Sequence, residues 1–291
     1  MPSPAVLLTL VREMVTSDRS PRVPEPDLVM DDAEKVAAYT SAGREDGVMA
    51  PVYLFHTAHM CEIVRPGDTV IDLACGPATQ LAQVARLNPD VRFVGVDLSS
   101  PMLDRAREHL KALGLTNVEL RHGDISELSS FPDASIDAVV SSMALHHLPT
   151  PALLEKTFGQ VKRVLRSGGG IYMADFGHLR SEKSINYFAY QYADRQAELF
   201  TLDYLYSLKA AFSVDDFRSA NAILGDSAKL YRTIGAPYMV VLKSARRRQV
   251  PGSLVEALIA LREAMPSHHK TDFQDLKRFF ALSGLRMANR I

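Results

Sequence analysis

The feature that most constrains this chain is a rhythm between residues 69 and 176, where short apolar runs alternate with segments of helical period. Val70-Ile71-Asp72-Leu73, Val91–Leu98, Val118–Arg121, Asp137–Ser142 and Gly170–Phe176 read as buried strands. Between them lie amphipathic helices. Thr79–Leu87 puts Leu81, Val84 and Ala85 on one face, and Pro151–Leu165 puts Leu154, Phe158, Val161 and Leu165 on one stripe. Pro101–Leu113 opens on a serine cap with proline in its first turn and stops at Gly114. Near-continuous apolar strands that alternate with such helices require a parallel sheet covered on both faces.

Past residue 176 the rhythm breaks. Residues 180–225 read as a helical, aromatic-rich insertion. Lys229–Ile234 and Tyr238–Lys243 flank Gly235-Ala236-Pro237 and read as a hairpin that closes one edge of the sheet. Two more helices follow, Ser253–Ala264 and Thr271–Leu285. The expected architecture is therefore α/β, a doubly wound, mostly parallel seven-stranded sheet. An N-terminal helical cap (1–60) precedes a core (61–245) that carries the insertion, and a helical tail (246–291) follows. Residues 18–30 hold three prolines and read as an irregular connector. Arg246-Arg247-Arg248 reads as a solvated surface run and His268-His269 as part of a linker.

Composition removes several function classes. Lys+Arg number 33 and Asp+Glu 34, so the chain lacks the basic excess of a nucleic-acid binder. Two cysteines, Cys61 and Cys75, exclude a disulfide scaffold and argue against a cysteine zinc site. No apolar run approaches the ~20 residues that cross a bilayer. Ala5–Val11 is short, has no basic flank before it, and reads as an amphipathic helix rather than a signal peptide. A cytoplasmic enzyme without a membrane or nucleic-acid partner is expected, its oligomeric state open. Tryptophan is absent, and five of the ten tyrosines fall between Tyr187 and Tyr206.

In open α/β sheets, ligands bind beyond the carboxyl ends of the strands, at the point where the strand order reverses. The first strand here runs into Asp72-Leu73-Ala74-Cys75-Gly76-Pro77-Ala78-Thr79, a small-residue turn that lets backbone approach a ligand. The second strand ends in Asp97, placed to accept hydrogen bonds from ribose hydroxyls. Gly123-Asp124-Ile125 follows the third strand, where a carboxylate can accept from an exocyclic amine. A dinucleotide site wants G-x-G-x-x-G, of which only Gly76 is present, so NAD and FAD fit poorly. The pattern D-x-x-x-G-x-G fits better, with Asp72 and Gly76 in place and Ala78 where the second glycine would stand.

Four segments in order at strand ends sharpen this: VIDLACGPA, VGVDLSSPML, HGDI, and DAVVSSMALHHLP followed by VLRSGGGIYMADF. Over residues 60–176 the chain resembles the class I S-adenosylmethionine-dependent methyltransferases, in particular the small-molecule branch related to the ubiquinone and menaquinone methyltransferases. The resemblance implies S-adenosyl-L-methionine as cofactor. It places Asp72, Ala74 and Gly76 around the methionine part, with Ala78 in the same loop. Asp97 would hold the ribose, Leu98 and Met102 would flank the adenosine, and Asp124 and Ile125 would meet the adenine. Ser141 and Ser142 would reach the methionine portion. Alanine at 78 departs from the pattern and is expected to narrow the loop by one methyl.

The cofactor's methyl already sits on a sulfonium, so transfer is an in-line displacement and catalysis is largely alignment and exclusion of water. An acceptor that loses a proton needs a base, and histidine suits that near neutral pH. The candidates are His146 and His147, after the fourth strand, and His56, in the segment Ala50–Glu62 expected to fold over the cofactor. Tyr53 and Thr57 in that segment, and Tyr187, Phe188, Tyr190 and Tyr192 in the insertion, are candidates for the acceptor wall. Base-amine methylation wants Asn or Asp followed by Pro-Pro-Tyr or Phe, and Ser141-Ser142-Met143-Ala144 does not match. Arsenite methylation uses more cysteines than two. No cluster of carboxylates and Asn near the fourth strand suggests a metal, so none is expected. The reading is methyl transfer to an O, N or S nucleophile of a small organic acceptor. A peptide or protein side chain, a cofactor-binding regulator and a NAD-dependent oxidoreductase remain alternatives.

Overall fold

The computed structural model describes residues 4–17, 20–26, 31–43, 47–288 and 291. Residues 18, 19 and 27–30 of the proline-rich connector lie outside them. The rhythm of the sequence becomes β1 (Thr69–Leu73), α4 (Thr79–Leu87), β2 (Arg92–Asp97), α5 (Ser100–Ala112), β3 (Val118–His122), β4 (Ile136–Ser142), α6 (Pro151–Val164) and β5 (Leu165–Phe176). Before it come α1 (Pro4–Val15), α2 (Ala33–Ala42) and α3 (Ala50–Met60). After it come α7 (Glu182–Tyr190), α8 (Glu198–Ala210), α9 (Val214–Leu224), β6 (Lys229–Arg232), β7 (Met239–Lys243), α10 (Gly252–Ala264) and α11 (Ser267–Ala281).

The seven strands form one sheet in the order β3-β2-β1-β4-β5-β7-β6. All pairs are parallel except β5·β7 and β6·β7, so the expected edge hairpin is present. The order reverses between β1 and β4, which pair in parallel from Val70↔Ala138 to Asp72↔Val140. Successive strand residues point to opposite layers, as the period of two demands. Val70, Phe93, Tyr172 and Val241 pack with α3, α4, α5, α10 and α11. Ile71, Val94, Val139, Ile171 and Leu242 pack with α6 and α9. Both faces are thus covered, which is why the strands carry almost no alternation.

The helix ends follow local chemistry. Ser99 caps α5 by accepting from the Met102 N–H at 3.2 Å, with Pro101 in the first turn and Gly114 at φ 65° just beyond the end. Thr150 caps α6 and Ser213 caps α9, the latter in a reciprocal pair with Asp216.

Three expectations are corrected. The segment Ala50–Glu62 is not a lid: ten of the eleven residues of α3 are buried, and it packs against β5, α4, α10 and α11 as part of the sheet's cover. The boundaries near 60 and 246 therefore mark changes of sequence character within one shared core. Arg246-Arg247-Arg248 is not simply solvated. Arg247 binds Asp68, Arg248 donates to the Cys61 carbonyl at 2.7 Å, and Arg246 reaches Glu62 at 3.2 Å. His268 and His269 lie in the first turn of α11, with His269 buried, so they are not linker.

Candidate functional site

The carboxyl ends of β1, β2, β3 and β4 surround a cleft lined by Ala74, Gly76, Asp97, Leu98, Met102, Asp124, Ile125, Met143 and His147, among others. Asp97 is fixed by two backbone donors: its Oδ2 accepts from Gly76 N–H at 2.7 Å and its Oδ1 from Ser99 N–H at 2.8 Å. These bonds tie the β1 loop to the β2 loop, which makes the cleft one preformed unit. Asp124 Oδ1 accepts from the Ser126 N–H at 2.7 Å, holding the β3 turn.

The loop backbone is strained where it meets this space. Ala74, Gly76, Ala78 and Met143 have φ of 55°, 53°, 59° and 50°, in the left-handed region that costs an alanine or methionine about 1–2 kcal/mol. Gly95 on β2 explains how tightly the β1 loop is seated. A Cβ there would stand 2.7 Å from Cys75 Sγ and 2.9 Å from Leu81.

Several predicted residues stand beneath the cleft, not on its surface. Asp72 is buried behind the loop, and burial together with the charge of Asp97 lifts its carboxyl to about 8. Burial also raises the Asp97 carboxyl. Two crowded, desolvated carboxylates favour a ligand that brings positive charge and hydrogen-bond donors. Ala78 is fully buried at the N-cap of α4. Ser141 is buried with its hydroxyl on the Leu73 carbonyl at 2.9 Å, and Ser142 ends β4 half-buried.

The histidines separate. His147 lines the cleft and its Nδ1 lies 2.9 Å from Glu25 Oε2. His146 is buried and is not among the cleft-lining residues, with Nδ1 2.7 Å from Asp175 Oδ1 and its backbone N–H donating to Oδ2 of the same carboxylate at 2.7 Å. His56 is removed from the cleft altogether. It is fully buried under β5 with Nδ1 2.7 Å from the Tyr172 hydroxyl, and burial lowers its basicity to about 3. That placement corrects its candidacy as a base. Thr57 beside it accepts from Gln80 Nε2 at 2.6 Å.

A second cavity of about 500 Å³ adjoins the cleft, and Met143 lines both. Its walls come from α1 (Val6, Leu10), the residues around 49–52, the insertion (Tyr187, Phe188, Tyr192, Phe200, Tyr204) and α11 (Asp272, Asp275, Phe279). Phe176 and Tyr238 complete an aromatic-rich surface that also carries Arg195, Gln191 and Gln196. Of the tyrosines proposed for the acceptor, Tyr187 is in this wall. Tyr190 is 47% exposed and points elsewhere. Tyr53 is buried with its hydroxyl on Tyr39, itself a lining residue of the cleft.

Residues from the head complete the site without a signal in the sequence. Arg22 donates to the carbonyls of Ala210 (2.6 Å), Pro149 (2.6 Å), Leu148 (2.7 Å) and His146 (3.1 Å) and lies over the Phe212 ring. It clamps the loop after β4. Glu25 and Tyr39 follow from the same strap and from α2. Asp175 stood inside a recognised segment, GIYMADF, but only the fold shows that it holds His146.

A family model described as a methyltransferase domain matches residues 65–211. An arsenite methyltransferase of Halobacterium salinarum is 33% identical over 113 residues, 38% of this chain and 28% of that one. A demethylmenaquinone methyltransferase of Listeria welshimeri is 35% identical over 113 residues, 38% of this chain and 46% of that one. The chain thus spans less than half the length of these curated relatives. The crystal structure of a SAM-dependent methyltransferase from Aquifex aeolicus shares the fold, with a TM-score of 0.52 at 16% identity over 74% of this chain and 98% of that one.

Proposed function

The chain belongs to the methyltransferase-domain family, and on that premise we propose that it transfers the methyl of S-adenosyl-L-methionine to a small organic acceptor. The observation that carries this reading is the junction at Met143. A cleft built from the β1, β2 and β3 loops meets a separate aromatic cavity there, so a cofactor and an acceptor can be held side by side.

In the cleft, Asp97 would accept from the ribose hydroxyls, with Leu98 and Met102 beside the adenosine and Asp124 and Ile125 at the adenine. Ala74 and Gly76 would follow the methionine part, whose ammonium and sulfonium answer the raised carboxyls of Asp72 and Asp97. Asp72, Ala78 and Ser141 would support this surface from below. The sulfonium supplies an activated methyl. The protein's share is to align an O, N or S nucleophile with it and to exclude water. Of the three histidines considered, His147 alone opens to the cleft and is retained as the candidate base.

Cavity walls drawn from the head, insertion and tail favour a small acceptor over a peptide, which would need an open groove. Two free cysteines agree with a cytoplasmic enzyme. None of the described helices is long and apolar enough to cross a membrane.

Calorimetric titration with S-adenosyl-L-methionine and with NAD tests the cofactor assignment. Binding of the first alone is expected, and its absence would sink the reading. Transfer of labelled methyl to a panel of metabolites, with peptides in parallel, then tests the acceptor class. Labelling of peptides only would refute the small-molecule assignment, and binding without any transfer would point to a regulator.

A further inference from the structure

We propose that Glu25, His146 and His147 form a binding site for one first-row divalent cation of the zinc type, between the head strap and the loop after β4. The proposal is independent of the cofactor assignment but stands in place of a base role for His147, since an imidazole that binds an ion through Nδ1 keeps its proton on Nε2 and can take no other. One ligand atom from each of the three residues falls within a group whose members all lie within 4.8 Å of one another. His147 Nδ1 is 2.9 Å from Glu25 Oε2, and His146 Nε2 is 3.7 Å from Glu25 Oε1.

The second contact is the informative one. His146 meets Asp175 through Nδ1 at 2.7 Å, and the same carboxylate accepts the His146 and Phe176 backbone N–H groups. Asp175 holds the Nδ1–H and turns Nε2 toward Glu25 Oε1. A ring nitrogen and a carboxylate oxygen turned toward each other in a buried pocket need a positive centre between them, either a proton on Nε2 or a metal ion. A carboxylate behind a ligating histidine is the usual outer-shell support of such an ion. Ser207 steadies the other side by donating to Glu25 Oε1 at 2.9 Å.

Two imidazole nitrogens and one carboxylate suit zinc and its first-row neighbours, whereas magnesium and calcium prefer all-oxygen sets. The site also has a structural logic. Glu25 comes from the strap and the histidines from the loop that Arg22 clamps, so the ion would staple the strap beside the cleft wall made by His147.

The test uses the full chain, stripped with chelator and titrated with ZnCl2 by calorimetry and with CoCl2 by visible absorption. One equivalent of each should bind, and MgCl2 should give no heat. Glu25→Gln and His147→Ala should each weaken zinc at least tenfold, and Asp175→Asn about 10- to 100-fold. His268→Ala, on α11, should leave affinity unchanged. Melting curves without metal establish that the variants fold. In the unaltered protein, ¹⁵N resonances of His146 Nε2 and His147 Nδ1 should shift together on zinc addition. No zinc binding, binding that survives both Glu25→Gln and His147→Ala, or a His146 Nε2 that stays protonated under excess zinc would overturn the proposal.

Discussion

The cleft and the aromatic cavity share Met143 but are built in opposite ways. Apart from Tyr39, the cleft is made by consecutive turns between residues 74 and 153, each at the end of a strand. The cavity gathers residues from Val6 to Phe279, brought together from α1, the start of α3, the insertion, the β5 and β7 ends and α11. The cleft carries buried carboxylates and fixed backbone donors, the cavity a set of rings with a few polar side chains among them. A cofactor common to a family can be read by a local, repeated device. An acceptor particular to one protein is enclosed by whatever the head, insertion and tail supply.

The largest effect should come from the cleft's central acid. Asp97→Ala removes the group proposed to take two ribose hydrogen bonds, each worth about 1.5–3 kcal/mol to a charged acceptor. Affinity for S-adenosyl-L-methionine should fall about 100- to 1000-fold by calorimetry, while the cavity's own stability contribution is untouched. Because Gly76 and Ser99 also lose their acceptor, the melting temperature should drop as well. Unchanged affinity in a folded variant would end the ribose assignment.

Asp72 gives the next effect, through pH. Its carboxyl is raised to about 8, so at pH 6.5 it is protonated in the free protein. A cationic ligand favours the ionised form, so binding should release close to one proton, and affinity should rise about tenfold per pH unit between 6 and 8. The same shift runs the other way for folding. A carboxyl raised in the native state destabilises it progressively as pH climbs from the ordinary carboxylate range toward 8. Titration in buffers of different ionisation enthalpy measures the proton, and Asp72→Asn should abolish its release. Release that persists in Asp72→Asn would assign it to another group.

The cavity predicts a smaller, one-sided effect. Tyr187→Ala should raise the acceptor KM about 5- to 30-fold, the cost of one lost ring contact of about 1–2 kcal/mol. Affinity for S-adenosyl-L-methionine should stay within twofold. Tyr190→Ala, three residues on and exposed, should change neither. Equal effects of the two substitutions would mean that the cavity is not the acceptor site.

What the sequence revealed follows the same division. Strand–helix alternation specified the sheet because both faces are buried, and Asp72, Gly76, Asp97 and Asp124 stood out as candidates because each lies at or just beyond the carboxyl end of a strand. Glu25 and Arg22 did not, since their roles arise from a strap folded back over a loop more than 100 positions away, and Tyr39 reaches the cleft only through the placement of α2. His56 misled for a related reason. A histidine on an apolar segment just before β1 can face the cofactor or the sheet, and α3 turned it under β5, where it pairs with Tyr172. The tyrosine-rich insertion was recognised as a wall, but which ring faces inward depended on helix phase: Tyr187 points in and Tyr190 out.

Ala78 offers the smallest effect and the finest test of the division. Its φ of 59° is a conformation glycine adopts freely, and its side chain is fully buried under the loop, away from the cleft surface. Ala78→Gly relieves about 1–2 kcal/mol of backbone strain but loses about 0.5–1 kcal/mol to the greater freedom of the unfolded chain. A net gain of about 0.5 kcal/mol is expected, a rise of about 1–2 °C in melting temperature. Cofactor affinity should hold within twofold, because the methyl supports the loop without lining the cleft. A tenfold gain in affinity at unchanged stability would instead show that the alanine narrows the cofactor's own space, and that a residue outside the cleft surface helps set its width.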